Sequence, residues 1–537
     1  MITFKSLNLK VIIMKKILLF IAFLIGNHSF GQLSLEHTYP QAPVQRIKLE
    51  QSGEKYSSYM PDKTMALYNA DHSLWKSVVL GIPSDTPAQS VGVHHISESV
   101  FNNDANVEVM YTYYHSPSNG FSVTSKIIAD NGTVLFELPG CNFLSLSRFE
   151  GIPDRLIAQM SDGTSRIYDV NLNLLNTFEF PVKRIQLELS GEKYYAFDKE
   201  NDRVVFFNND YTSWKQVALI KPSGSTYSSI HFISETIKPD AQLEIGYDCF
   251  SGSNVESRIV DENGDLLLSG TNIGLMRISK IDGLPTKLIA SGMLYTEGFP
   301  QVTNVYSLPD LTLEHHFDEW LERHKFQNSG EKYYNLLAVE NTVKIYSSDY
   351  SLWKTIPLEF QESRTATHVT HISESIINDD ALIEVAVASD LNLILEPYPQ
   401  TIVVNETGEV LAVLQNIYGL QLSEIPGLNN KFIGRGMFVD QQNFGQVYAL
   451  EALNTVHFDK GKVVVYPNPV HSLLNVRSEN ARIVEAGLYN MLGLLVWSES
   501  SASIEKIEMG SFQSGTYLLQ LTTADGAKTN RKIIVTK

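Results

Sequence analysis

The chain has 537 residues, 43% hydrophobic and 19% charged, with 33 glycines and 20 prolines, a globular composition that excludes collagen, coiled coil and general disorder. Two cysteines exclude a disulfide-stapled scaffold and any multi-cysteine metal or iron–sulfur centre. A formal charge of −18 leaves no basic footprint for nucleic acid, whose phosphates are recognised by clustered lysine and arginine.

At the N-terminus, Met14-Lys15-Lys16 opens a short basic stretch, followed by the apolar run Ile17 to Ile25 and then Ser29-Phe30-Gly31. The run is about half the roughly 20 residues that a membrane-spanning helix needs. Residues 1–31 therefore read as a cleavable export signal, starting at Met1 or at Met14. No later apolar stretch reaches spanning length, so no transmembrane span is expected in the mature protein. Acidity is concentrated in residues 32–462, because the segment from Val463 onward is close to neutral. Such a field favours solubility and attracts cations or basic partners.

Residues 32–462 contain one unit written three times, at spacings of about 139 residues. Ser52-Gly53-Glu54-Lys55-Tyr56 recurs from Ser190-Gly191 and from Ser329-Gly330. Trp75, Trp214 and Trp353 follow, each preceding a lysine, and then Ile-Ser-Glu at Glu98, Glu235 and Glu374. The turns Asp130-Asn131-Gly132, Glu262-Asn263-Gly264 and Glu406-Thr407-Gly408 come next. Gly151-Ile152-Pro153, Gly283-Leu284-Pro285 and Gly427-Leu428-Asn429 close the units.

Within the first unit, strands are expected at Met65 to Tyr68, Leu74 to Leu80, Val107 to Tyr113, Ser125 to Ala129, Thr133 to Leu138, Leu156 to Gln159 and Arg166 to Asp169. These runs are short, rich in β-branched and aromatic residues, and bounded by Asn, Asp, Gly and Ser. The expected class is all-β. Each unit divides into three modules of about 46 residues, the size of one four-stranded propeller blade. Three units then make a β-propeller-like body of about nine blades, with tandem sandwiches or two smaller propellers as alternatives. Leu33 to Tyr39 matches Leu311 to Phe317, an outer strand, which is what ring closure by strand exchange would leave; Leu453 to Phe458 is a competing copy.

The tryptophan hairpins resemble the Asp-box of sialidase-like propellers, best in Ser347-Ser348-Asp349-Tyr350-Ser351-Leu352-Trp353. The match departs from the pattern at Ser351 and in the place of Trp353. That resemblance implies architecture rather than an active site, with Asp71, Asp210 and Asp349 bonding turn amides. Glu98, Glu235 and Glu374 allow an acidic ring around a channel, but a residue present three times is expected to be scaffold. Scaffold roles are accordingly assigned to Trp75, Trp214, Trp353, Gly53, Gly191 and Gly330. His94, His95, His231, His368 and His371 share no common spacing, so no metal site is expected. Asp261 to Asp265 reads as a hairpin turn rather than a calcium loop. Cys141 and Cys249 are open to pairing or to burial as thiols. No catalytic residue, cofactor or phosphate loop is identified.

From Val463 a small domain begins. Val465-Tyr466-Pro467-Asn468-Pro469-Val470, Leu474-Asn475-Val476, Leu488 to Gly493, Gly515-Thr516-Tyr517-Leu518-Leu519-Gln520-Leu521 and the closing Lys532 to Lys537 resemble the type A C-terminal sorting domain of the type IX secretion system. The motif residues are Tyr466, Pro467, Asn468, Pro469, Gly493, Gly515, Tyr517 and Lys532. The resemblance implies a compact seven-stranded Ig-like sandwich, recognition by the type IX translocon and sorting machinery, removal of the domain, and release or attachment to surface lipopolysaccharide. It implies secretion or surface display and says nothing of what the preceding residues bind. Two classes remain for them: a protein that binds a glycan or a surface protein, or a propeller enzyme acting on extracellular polysaccharide. Either would use the stretches where the units differ, Tyr114 to Phe121, Cys249 to Asn254, Tyr295 to Thr303 and Leu391 to Gln400.

Overall fold

A computed structural model describes residues 33–450 and 463–537, apart from 103, 105, 117–121, 253, 294–300, 361–363, 378–381, 390–398, 439–441, 479–481, 491–494 and 524–527. The export signal, Leu453 to Phe458, Gly493 and, of the four variable stretches, residues 117–121, 253, 295–300 and 391–398 lie outside the described residues. All long elements are strands, and among the described residues no helix is long and apolar enough to cross a membrane.

The first compact unit, 33–376 with 380–449, holds nine four-stranded antiparallel sheets among the described residues. In chain order they are sheet 1 (45–79), sheet 2 (91–139), sheet 3 (141–178), sheet 4 (183–218), sheet 5 (226–271), sheet 6 (273–317), sheet 7 (322–357), sheet 8 (366–415) and sheet 9 (417–450). Sheet 9 takes its fourth strand from the other end of the chain, Leu33–Tyr39, which pairs beside Asn443–Leu450. Every other sheet runs in strict sequence through hairpins.

One outer hairpin is repeated in each of the eight uninterrupted sheets. Its turn places a residue at positive φ, at His72, Gly132, Leu172, Tyr211, Gly264, Leu311, Tyr350 and Gly408. A one-residue shift in pairing follows each of them. This is the short hairpin in which a left-handed residue forms a bulge, matching the twist of the two strands.

Sheets pack face to face through apolar clusters. Leu67, Val78, Val109 and Tyr111 join sheets 1 and 2, and Val204, Phe206, Ile245 and Tyr247 join sheets 4 and 5. Tyr39, Val44, Tyr56, Ile433 and Val447 join sheet 9 to sheet 1, so the circuit of contacts closes. Because a middle strand is covered on both faces, Glu384–Ser389 and Gln400–Asn405 are buried throughout. The outer strands are the more exposed, as in Leu174–Phe178, where only Phe178 is buried. The body is thus all-β and propeller-like.

The second unit contains residues 463–537. Strands Val463–Tyr466, Leu473–Ser478 and Lys506–Glu508 form one sheet, and Leu495–Ser500, Ile483–Asn490, Gly515–Thr523 and Lys528–Val535 form the other. Leu474, Leu488, Ile507, Leu519 and Ile533 fill the space between them, which makes a sandwich.

Candidate functional site

The residues that recur in the sequence are consumed in fastening sheets together, through three kinds of joint used in rotation. At the first, between sheets 1 and 2, the Glu98 carboxylate accepts from the Gln51 and Ser52 amides at 2.8 and 2.9 Å, while the Glu98 amide donates to Glu50 at 2.9 Å. Glu235 accepts likewise from Leu189 and Ser190, and Glu374 from Asn328 and Ser329. Gly53, Gly191 and Gly330 sit just past these turns at φ +73, +72 and +73, a conformation that suits glycine. The three glutamates are 96–97% buried, so they form no acidic ring open to a ligand. Burial pushes the Glu98 and Glu374 carboxyls up, but their hydrogen bonds at these turns outweigh it and hold both below the usual range.

The tryptophans belong to the same joint. Trp75 lies between the ammonium groups of Lys55 and Lys76, at 4.8 and 4.7 Å from its centroid. Trp214 and Trp353 are sandwiched in the same way by Lys193 with Lys215 and by Lys332 with Lys354. The outer lysine of each pair then reaches the acid that opens a turn in the next sheet: Lys76 to Asp130, Lys215 to Glu262 at 2.7 Å, and Lys354 to Glu406 at 2.6 Å.

The second joint is a hydroxyl on a middle strand donating to the first carbonyl of the next sheet, Ser125 to Cys141, Ser257 to Ile273 and Thr401 to Ile417. The third joins one unit to the next. Arg46, Arg184 and Arg323 each hold a glutamate of their own sheet at 2.7 Å, Glu54, Glu192 and Glu331. Arg184 and Arg323 also donate to the carbonyls of Ser147 with Pro153 and of Ser279 with Pro285, and Arg46 donates to that of Ser423. The Gly-Xaa-Pro landmark is therefore the acceptor of this arginine, a residue that sequence reading missed although it recurs at 138 and 139.

Asp71, Asp210 and Asp349 each accept from the amide two residues on, at 3.0 Å, and so brace their hairpins. Asp261 to Asp265 is likewise a turn, with the Gly264 amide donating to the Asp261 carbonyl. Cys141 and Cys249 are free buried thiols in separate clusters, which settles their alternatives against a bridge. His231 lies 2.6 Å from Asp248, to which Ser257 also donates. The carboxylate stands between the other two, so Ser257 and His231 do not bond each other, and the order Ser–Asp–His is not that of a serine triad, in which the histidine lies between. Among the described residues, no group of three or more His, Cys, Asp or Glu is placed to hold a metal ion.

Two clefts lie at unit boundaries. A cleft of about 1480 Å³ runs between sheets 3 and 4 and reaches the inner strand of sheet 5. Its walls carry Phe143, Phe180, Phe207, Asp198, Arg203 and Gln216. Phe143 is 50% and Phe180 39% exposed. Phe180 stacks on Phe207 at 5.7 Å, and Phe207 packs on Phe178 at 4.9 Å. Arg203 donates to Asp198 at 2.8 Å and to Gln216 at 2.7 Å, and its hydrogen bond, first among several, holds the Asp198 carboxyl below its usual range. The corresponding boundary between sheets 6 and 7 holds a cleft of about 740 Å³, where Asp318, Glu319 and Trp320 occupy the positions of Glu179, Phe180 and Pro181. Its Glu319 is already engaged by Asn335, Tyr346 and Lys344.

In the C-terminal sandwich, the Tyr-Pro-Asn-Pro motif is pinned to the last strand. The Ile534 amide donates to the Asn468 side chain at 2.8 Å, and Val470 exchanges bonds with Ile534 and Thr536. Asn475 donates to the Tyr466 carbonyl, and the Tyr466 ring is 48% exposed. Gly515 opens a strand, Tyr517 donates to the Gln513 carbonyl, and Lys532 pairs through its backbone with Leu518. The Lys532 side chain, like Gly493, lies outside what is described.

Residues 464–536 match the family described as the secretion system C-terminal sorting domain. A curated relative, beta-agarase D of Zobellia galactanivorans, is 32% identical over 76 residues, a match that spans 14% of this chain and 15% of that protein. Among solved structures, BamB from Moraxella catarrhalis aligns over 69% of this chain and 97% of its own, at 10% identity and a TM-score of 0.33. The Dos1 propeller aligns over 67% and 93%, at 12% identity and a TM-score of 0.35. The propeller-like character of the body rests on its own sheet order. With its terminal sandwich matched, the chain carries a type IX secretion system sorting domain, and the protein is secreted or attached at the cell surface.

Proposed function

We propose that this is an exported binding protein, whose sorting domain delivers a propeller-like body that engages its ligand at a cleft between repeat units and performs no chemistry on it. The observation that carries this reading is the division of labour in the body. Residues that recur in all three units are bonded within joints, and where one of them, Arg184, reaches a boundary cleft its charge is held by Glu192, whereas the clefts also carry residues that differ from unit to unit, such as Phe180 and Glu319. Binding surfaces occur where a rigid scaffold presents variable side chains.

The test is retention of the full-length protein on arrays of immobilised polysaccharides and of outer-surface proteins. Selective retention that is lost in Phe180→Ala, with an unchanged thermal midpoint, is the expected result. Equal retention of the wild type and the variant, or conversion of a retained polysaccharide to shorter chains, would contradict it.

A further inference from the structure

We infer that the cleft between sheets 3 and 4 is a subsite for a neutral oligosaccharide; this rests on the binding role proposed above and gives it a ligand class. The first argument is extent. The cleft is lined by Lys183 on the first strand of sheet 4, Phe197 on the second, Val205 on the third and Gln216 on the outermost, so it crosses the whole sheet. With strands about 4.8 Å apart, that is a groove roughly 14 Å long. Its volume of about 1480 Å³ exceeds what a compact small ligand fills. An extended ligand fits it.

Charge is the second argument. Arg184 is neutralised by Glu192 at 2.7 Å and Arg203 by Asp198 at 2.8 Å. At the rim, Glu179 and Glu200 are balanced by Lys183 and Lys199. No surplus of either sign remains to select an ionic ligand, which separates this cleft from its acidic counterpart between sheets 6 and 7.

The remaining chemistry is of two kinds. Ser145, Ser213, Ser228 and Ser229 supply hydroxyls, and the Gln216 amide nitrogen adds a donor while its oxygen is held by Arg203. Against these stand the exposed rings of Phe143 and Phe180, the latter supported from behind by Phe207. A pyranose presents one apolar C–H face and a rim of hydroxyls, so it satisfies rings and hydroxyls at once without carrying charge. A ligand with no hydroxyls would strand the serines and Gln216, and a ligand with no apolar face would leave two large rings in water.

The experiment is calorimetric titration of the full chain with cello-, xylo-, manno-, laminari- and agaro-hexaose, with oligoalginate and a sulfated oligosaccharide as charged controls. Phe143→Ala, Phe180→Ala and Gln216→Ala are measured alongside, with thermal midpoints to confirm folding. A neutral hexaose should bind, and Phe180→Ala should weaken it about tenfold, as expected for loss of roughly 1.4 kcal/mol of ring contact. Binding of charged controls alone, binding indifferent to all three variants, or no binding by any member of the panel would overturn the assignment. Retention of a protein partner that Phe180→Ala abolishes would remove the sugar class while leaving the binding role intact.

Discussion

Glu235 and Ser190, 45 residues apart in the chain, meet across the face between sheets 4 and 5: the Ser190 amide and the Leu189 amide both donate to one oxygen of the Glu235 carboxylate at 2.8 Å. Glu235 is 97% buried, so its removal takes the side-chain acceptor from both turn amides. Glu235→Ala should therefore cost about 2 kcal/mol, read as a lower urea midpoint. Glu98→Ala lies in a separate copy of the joint, and the double variant should lose the sum of the two. A midpoint unchanged by either substitution would show that the joint does not hold the sheets.

Tyr350 occupies φ +70 at the outer hairpin of sheet 7, where glycine would be unstrained. It remains there because its ring stacks on His315 at 4.8 Å and its hydroxyl bonds Glu314 and Lys287 in the preceding sheet. Tyr350→Gly relieves the backbone by about 1 kcal/mol but loses a larger contact, and should be less stable than the wild type. Tyr350→Ala loses the contact and keeps the strain, so it should be the less stable of the two by about 1 kcal/mol. The reverse order, measured by urea denaturation, would remove the strain argument.

The same strand position in sheets 2 and 5 holds a fully buried acid. Burial pushes Glu108 and Glu244 up to about 7. A carboxyl whose folded pKa is raised keeps its proton while the unfolded chain ionises, so its contribution to stability falls as pH rises from about 4.5 to about 7. Each can cost on the order of 3 kcal/mol above that window. Glu108→Gln with Glu244→Gln should match the wild type near pH 5 and exceed it at pH 8. His371 acts in the opposite sense: burial lowers it to about 4, so its contribution is complete above about 6.5 and is lost as pH falls. Parallel stability curves for the wild type and the double variant between pH 5 and 8 would contradict the account of the two glutamates.

Residues 463–537 form a sandwich with its own core, and the body closes on itself through Leu33–Tyr39. A chain ending at residue 462 should fold its body but stay in the periplasm, with its pool in the medium and on the surface reduced to background. Export of the truncated chain at the wild-type level, followed by cell fractionation, would contradict the role of the sandwich.

Much of the fold is legible in the chain itself because joints recur. Trp75 with Lys76, Glu98 and the acid at Asp130 are conspicuous as landmarks since each is repeated with its partner in every unit, and Pro153 since it is repeated with its arginine in two. The inner strands are less visible: Gln45–Leu49 and Val91–Ser97 read as polar stretches because Arg46 is bonded to Glu54 and His94 to Thr112. The closure at Leu33–Tyr39 shows as a displaced copy because an outer strand keeps its pattern wherever the chain supplies it. The cleft is invisible at sequence level for the opposite reason. Phe143, Phe180, Arg203 and Ser229 belong to no repeat and come together only when sheets 3, 4 and 5 pack.

The most direct test of the central claim, that recurring residues fasten sheets while unit-specific ones bind, is hydrogen–deuterium exchange of the full chain with and without the hexaose that binds most tightly. New protection should be confined to residues 143–147, 179–184, 195–207, 213–216 and 228–230, along the cleft. Protection centred instead on the recurring turns at 51–56, 189–194 and 328–333 would contradict it.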